Sequence, residues 1–201
     1  MQLSRETITA AAFNILGEYG LGDVSMRRVA TALGVAPGAL YWHIENKQDL
    51  IASLAAEIVR PLSTGTDAID ATDTTGTANV AALAAALRTQ VLSVRDGAEV
   101  VLAALSQPDA PVREELIAVF VAQVRAEWGD AASASVARAA AANLVYMTLG
   151  AAMVYQAGAQ LAALTGEPPA VSAADAAREH AEGVALLLAG LRTPSGPTEL
   201  D

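Results

Sequence analysis

The stretch Ser25-Met-Arg-Arg-Val-Ala-Thr-Ala-Leu-Gly-Val-Ala-Pro-Gly-Ala-Leu-Tyr-Trp-His-Ile44 decides how this chain folds. The Ser25 side chain can accept a free backbone N–H of a first helical turn. The residues to Leu33 then read as a short helix with Val29, Ala30 and Leu33 on one face. Gly34-Val35-Ala36 breaks that helix, because glycine reaches left-handed backbone without a Cβ clash. Pro37 opens a second short helix, to about His43, at the first-turn position where its missing N–H costs nothing. Ala30 permits close approach, and Val29, Leu33, Val35, Leu40 and Ile44 would make the shared core. This is the layout of a helix-turn-helix, whose second helix offers its outer face to a DNA major groove. Spacing alone fits an ordinary helical hairpin equally well.

Working outward, Leu3 to Tyr19 reads as a helix capped by Ser4, with Ile8, Ala11, Ala12, Ile15, Leu16 and Tyr19 in an apolar stripe. Gly20 and Gly22 end it. After the quoted stretch, Asn46 caps a helix in capping-box fashion with Asp49, and that helix should stop at Val59 before Pro61. Ser63 to Gly76 is rich in Thr, Asp and Gly and reads as a solvated linker. Further helices are predicted at about 78–95, 97–106, 110–128, 134–164 and 173–191, with a disordered tail from Pro194 to Asp201. No strand pattern or internal repeat is visible, so the fold class is all-α.

Composition agrees. Of 201 residues 53% are hydrophobic but only 4% aromatic, and long alanine-rich runs favour helix because alanine loses no side-chain entropy there. The absence of cysteine excludes disulfides, thiolate zinc sites and a cysteine nucleophile, and fits a reducing cytoplasm. The first residues, Met1-Gln-Leu-Ser-Arg-Glu6, carry no signal-peptide core. The net charge of −10 looks wrong for phosphate binding, yet residues 1–60 hold five basic and six acidic residues, a balance of only −1. The acidity lies further on, and Lys47 is the one lysine in the chain. Residues 139–166 are 28 positions without a charge, but Asn143, Thr148, Gln156 and Gln160 interrupt them and alanine makes them shallow. A buried helix fits better than a membrane span. The only histidines are His43 and His180, with Glu179 beside the latter but pointing elsewhere on its helix. No phosphate loop, metal-spaced cluster or nucleophile motif appears, so no enzyme, cofactor or metal site is expected.

Residue identity then separates the two readings of the opening stretch. Ser25 to Leu50, ending Ala39-Leu-Tyr-Trp-His-Ile-Glu-Asn-Lys-Gln-Asp-Leu50, resembles the DNA-binding signature of the TetR (tetracycline-repressor-like) family. Leu92-Ser-Val-Arg-Asp-Gly-Ala-Glu-Val100 resembles a ligand-domain segment of the tetracycline-repressor subgroup, and Glu179 to Leu191, with Gly183 and Leu186-Leu-Leu-Ala-Gly-Leu191, its last helix. The resemblance implies a three-helix helix-turn-helix domain at 1–60, a helical ligand-binding and dimerisation domain at 61–193, and the tail at 194–201. It implies a cytoplasmic homodimer that binds a palindromic duplex operator and answers to a small-molecule effector, without a membrane. A constitutive DNA-binding dimer lacking an effector is the alternative.

Laid on matching positions, the resemblance puts Arg27 at a guanine edge or phosphate, with Arg28 beside it. Tyr41, Trp42 and His43 would line the phosphate-and-groove face, and Lys47 would take a phosphate at a helix N-terminus. Pro37, Gly38 and Ala39 stand where the family reads bases, yet none carries a hydrogen-bonding side chain, so readout there rests on methyl contact, backbone contact or shape. The effector pocket is expected between residues ~78 and 164, with Gln90, Val101, Leu105, Phe120, Asn143, Tyr146 and Met147 as its candidate lining. Each of these also fits a core or interface position. Val101 occupies the place of the subgroup's metal-binding histidine, and an isopropyl group cannot ligate a metal, so a magnesium–tetracycline chelate is not the expected effector.

Overall fold

Ser4 starts the first helix by a reciprocal cap: its side chain accepts the Thr7 N–H while its own N–H donates to Thr7 Oγ1 at 2.9 Å. Helix α1 (Arg5–Tyr19) buries Ile8, Ala12, Ile15 and Leu16 and ends at Gly20. The computed structural model describes residues 2–64, 79–129 and 132–192. Among these, a 3-10 turn (Leu21–Asp23) leads to α2 (Met26–Leu33), α3 (Pro37–Leu40) and α4 (Lys47–Thr64). There follow α5 (Val80–Leu92), α6 (Gly97–Leu105), α7 (Pro111–Trp128), α8 (Ala134–Thr165) and α9 (Ala173–Arg192), with no strand among the described residues. Most of the expected linker and the whole expected tail lie outside the described residues.

Two boundaries differ from the sequence reading. Helix α4 does not stop at Val59 but runs through Pro61 to Thr64. Pro61 forfeits one backbone bond, yet Ile58, Val59 and Leu62 are buried around it, and that apolar burial outweighs the local loss. Regular helix in α3 ends at Leu40 rather than His43, because the N–H groups of His43 and Ile44 both converge on the Leu40 carbonyl at 2.9 Å.

Helix α4 packs on α1 at its start and on α5, α6 and α7 along its length, so one element belongs to both halves of the molecule. Buried side chains form one continuous core from Ile8 to Leu188 rather than two. Helix α8 is long and apolar enough by composition to cross a membrane. It instead buries Ala141, Leu144, Val145, Leu149 and Ala152 against α5, α6, α7 and α9.

Candidate nucleic-acid interface

The helix-turn-helix is held by the contacts its residue types predict. The Ser25 hydroxyl accepts the Arg28 N–H at 3.2 Å. Gly34 takes φ +68°, which lets the Val35 N–H reach back to the Ala30 carbonyl at 3.0 Å and turn the chain sharply. Val29, Ala30, Leu40 and Ile44 are fully buried at the shared core, with Leu33 and Val35 half-buried at its edge. The same packing turns Tyr41 and Trp42 outward, 55% and 88% exposed. An indole left almost wholly in water forgoes its apolar burial, which marks a contact surface rather than a packing position. Pro37, Gly38 and Arg27 are exposed too, Ala39 and His43 half-buried, and Lys47 is exposed at the first residue of α4.

Arg28 has a different environment. It pairs with Asp23, and its guanidinium lies 4.0 Å over the Tyr19 ring, which ties α2 to the end of α1. The start of α4 is fixed by a bidentate pair, Arg5 Nη1 and Nη2 to the Asp49 carboxylate at 2.7 and 3.0 Å. Asn46 accepts the Asp49 N–H at 2.9 Å as expected, but the Asp49 carboxylate accepts from Glu45 N, not from Asn46. The expected capping box is therefore shifted by one residue, because Asp49 also has to face Arg5. Arg5 holds the Asp49 carboxyl below the usual carboxylate range.

The turn between α5 and α6 joins this unit to the helical body. Asp96 accepts the Leu21 N–H at 2.8 Å and Arg95 donates to the Glu18 carbonyl at 2.8 Å. Gly20 makes the approach possible: its φ is +89°, and a Cβ there would sit 2.7 Å from Asp96 Oδ2. Asp96 immediately precedes α6, yet its side chain makes no capping bond to that helix. It faces α1 and also takes a bond from Gln160 of α8. Gln156, one turn earlier, donates to the Val94 carbonyl at 2.8 Å and accepts from Ala98 N at 3.2 Å. A second bridge runs from Gln107 to the Gln48 carbonyl, 3.0 Å. Sequence reading found Gln156 and Gln160 as polar interruptions of an apolar run, but not their partners, which lie some 60 residues away.

This arrangement has known counterparts. Residues 8–54 match the model of a family of bacterial regulatory proteins, the tetR family. The chain is 30% identical to the class A tetracycline repressor of transposon 1721 from Escherichia coli, over 78% of this chain and 69% of that one. It is 31% identical to the Escherichia coli class C tetracycline repressor over 83% and 72%. The chain belongs to the TetR family. As such it is a DNA-binding transcriptional regulator of that family. Among solved TetR-like structures it resembles Mycobacterium smegmatis BioQ, with 34% identity and a TM-score of 0.77 over 94% of this chain and 98% of that one. A BioQ crystallised with its double-stranded DNA operator is 32% identical, with a TM-score of 0.72 over the same shares.

The seven candidate pocket residues of this TetR-family chain sit in different environments. Val101, Leu105 and Phe120 are buried in the core, Gln90 is half-buried, and Asn143 is exposed with its amide on the Ala139 carbonyl at 2.8 Å. Tyr146 is partly exposed and accepts from Arg113 at 3.1 Å. Met147 alone of the seven reaches a cavity of about 400 Å3 between α8 and α9, walled also by Val154, Tyr155, Val171, Glu179 and His180. Glu179 and His180, read from the sequence as diverging, thus border one space. His180 is buried with Nε2 2.9 Å from Thr148 Oγ1, and burial, with the nearby Arg88 charge, lowers its pKa.

Proposed function

We propose that this chain is a homodimeric repressor, released from a palindromic operator by a small and mostly apolar molecule. In this reading residues 1–60 are the DNA-binding unit and 61–193 the ligand-binding and dimerisation unit, working in the cytoplasm. The observation that carries it is the exposed Tyr41–Trp42 pair on a helix-turn-helix unit whose Arg27 and Lys47 are exposed as well. Lys47 and the free N–H groups opening α4 would hold one phosphate, and Arg27 a phosphate or guanine edge. His43 would flank them, and Pro37, Gly38 and Ala39 would meet base edges by apolar and backbone contact. Arg28, engaged with Asp23 and Tyr19, would act by setting the pose of α2.

The operator in the BioQ complex and the minocycline bound to a TetR from Acinetobacter baumannii support a DNA partner and an organic effector for this chain. A magnesium chelate is not supported: Val101 is fully buried, Asp96 is committed to Leu21, and Glu99 is exposed on the outside of α6. A gel-shift titration with palindromic duplexes selected from random sequence tests the reading. Saturable binding that Lys47→Ala and Trp42→Ala both weaken is expected. Undiminished binding by both variants would move the DNA surface elsewhere.

A further inference from the structure

A chain that meets DNA through residues 1–60 does so with almost no positive charge in reserve. Those residues hold five basic side chains against six acidic ones, and three of the five sit in ion pairs: Arg28 with Asp23, Arg60 with Glu57 and Arg5 with Asp49. The last pair lies at the start of α4. Asp49, in the first turn, accepts the Glu45 N–H at 2.9 Å, which brings its carboxylate back to the N-terminal end of the helix, where Lys47 is the first residue. The helix dipole and the backbone N–H groups favour an anion at that end, so a carboxylate there stands in the field meant for a phosphate. Arg5, the first residue of α1, meets both carboxylate oxygens, at 2.7 and 3.0 Å, and its Nη1 also donates to Ser53 Oγ at 3.0 Å.

We infer that Arg5 is a positioning residue of the DNA interface: it acts through Asp49, cancelling a carboxylate that would otherwise repel the phosphate at the start of α4. This role depends on the proposed function, in which Lys47 and the N–H groups opening α4 hold that phosphate. Without Arg5 the duplex would meet an uncompensated Asp49 charge at this end, beside Glu6 and Glu45, whose charges also act on Arg5. The pair is not chiefly a source of stability. The Arg5 side chain is 47% exposed, and an ion pair so open to water adds little to folding.

Four full-length variants test this role on the palindromic duplex selected with the wild-type protein: Arg5→Gln, Asp49→Asn, the two together, and Lys47→Ala. Fluorescence anisotropy at low and at high salt reads them. Arg5→Gln should weaken binding about three- to fivefold per half-site, hence roughly tenfold or more for both, and the gap should narrow as salt rises. Asp49→Asn keeps an oxygen for the Glu45 N–H but leaves Arg5 uncancelled, so it should bind more tightly than wild type. The double variant, neutral at both positions, should return to within about threefold of wild type. It lacks the clamp as well, so its recovery shows that charge balance, not folding, was lost in Arg5→Gln. A structural clamp fails whichever side is cut, and weakening by Asp49→Asn equal to that by Arg5→Gln would overturn the role. So would a double variant as weak as Arg5→Gln, which would mean that Arg5 itself touches DNA. Weakening by Lys47→Ala with none by Arg5→Gln sinks the role of Arg5 alone, whereas undiminished binding by both removes the phosphate grip it depends on.

Discussion

Trp42 and Lys47 lie five residues apart, yet they should fail differently when removed. Lys47 offers a compact charge at the start of α4, so Lys47→Ala should weaken all duplex sequences about equally and lower the salt slope by about one counterion. Trp42→Ala should cost about 1–3 kcal/mol and change sequence preference, because on the proposed DNA face an exposed indole would meet bases or sugars rather than charge alone. Salt-dependent fluorescence anisotropy on matched and mismatched duplexes reads both effects. Gly20 is sensitive for a different reason. An added methyl would meet Asp96 Oδ2 at 2.7 Å in a backbone conformation that side chains resist. Gly20→Ala should therefore lower stability by about 1–3 kcal/mol in urea titration.

At the scale of elements, the α5–α6 turn is the joint between the two halves. Asp96 itself sits at φ +56°, a left-handed conformation that aspartate tolerates and that turns its carboxylate away from α6 toward Leu21 and Gln160. Asp96→Ala removes one acceptor from two donors, and about 1–2 kcal/mol of stability should go with it. The loss should localise: hydrogen exchange should rise at Leu21 and around Glu18, while the amides of α7 stay protected. Uniform exchange in wild type and variant would show that the joint does not depend on this carboxylate. Helix α4 is the other connection, and its passage through Pro61 shows a proline signal overruled by buried neighbours on both sides.

For the whole molecule, exposed apolar residues concentrate on α8 and α9. Leu164 is 86% exposed, Leu186 75% and Val154 71%. A single chain does not leave such a face to water, and light scattering should give twice the 20.5 kDa chain mass at micromolar concentration. Stability should also depend on pH through His180. Its folded pKa lies below its ordinary value of 6.5, so the unfolded chain takes up the proton first as pH falls. Stability is then full above about pH 6.5 and declines below it until the folded ring titrates. His180→Gln should flatten this part of a urea-midpoint profile measured between pH 7 and 5, and an unchanged slope would assign it to other groups.

The order of helices and the caps at Ser4 and Ser25 followed from local sequence. Capping, glycine turns and 3.6-residue periodicity act over a few residues, which is why Ser4, Ser25, Gly34 and Pro37 could be read directly. Long-range partnership could not. Whether Arg28 meets DNA or Asp23, whether Asp96 caps α6 or binds Leu21, and whether α4 survives Pro61 depend on neighbours brought close only by packing. The environments of the expected pocket residues could not be read for the same reason. A polar or soft residue in an apolar run is equally consistent with core, interface and cavity, and only the distance between α8 and α9 at Gly150 and Gly158 decides where space remains.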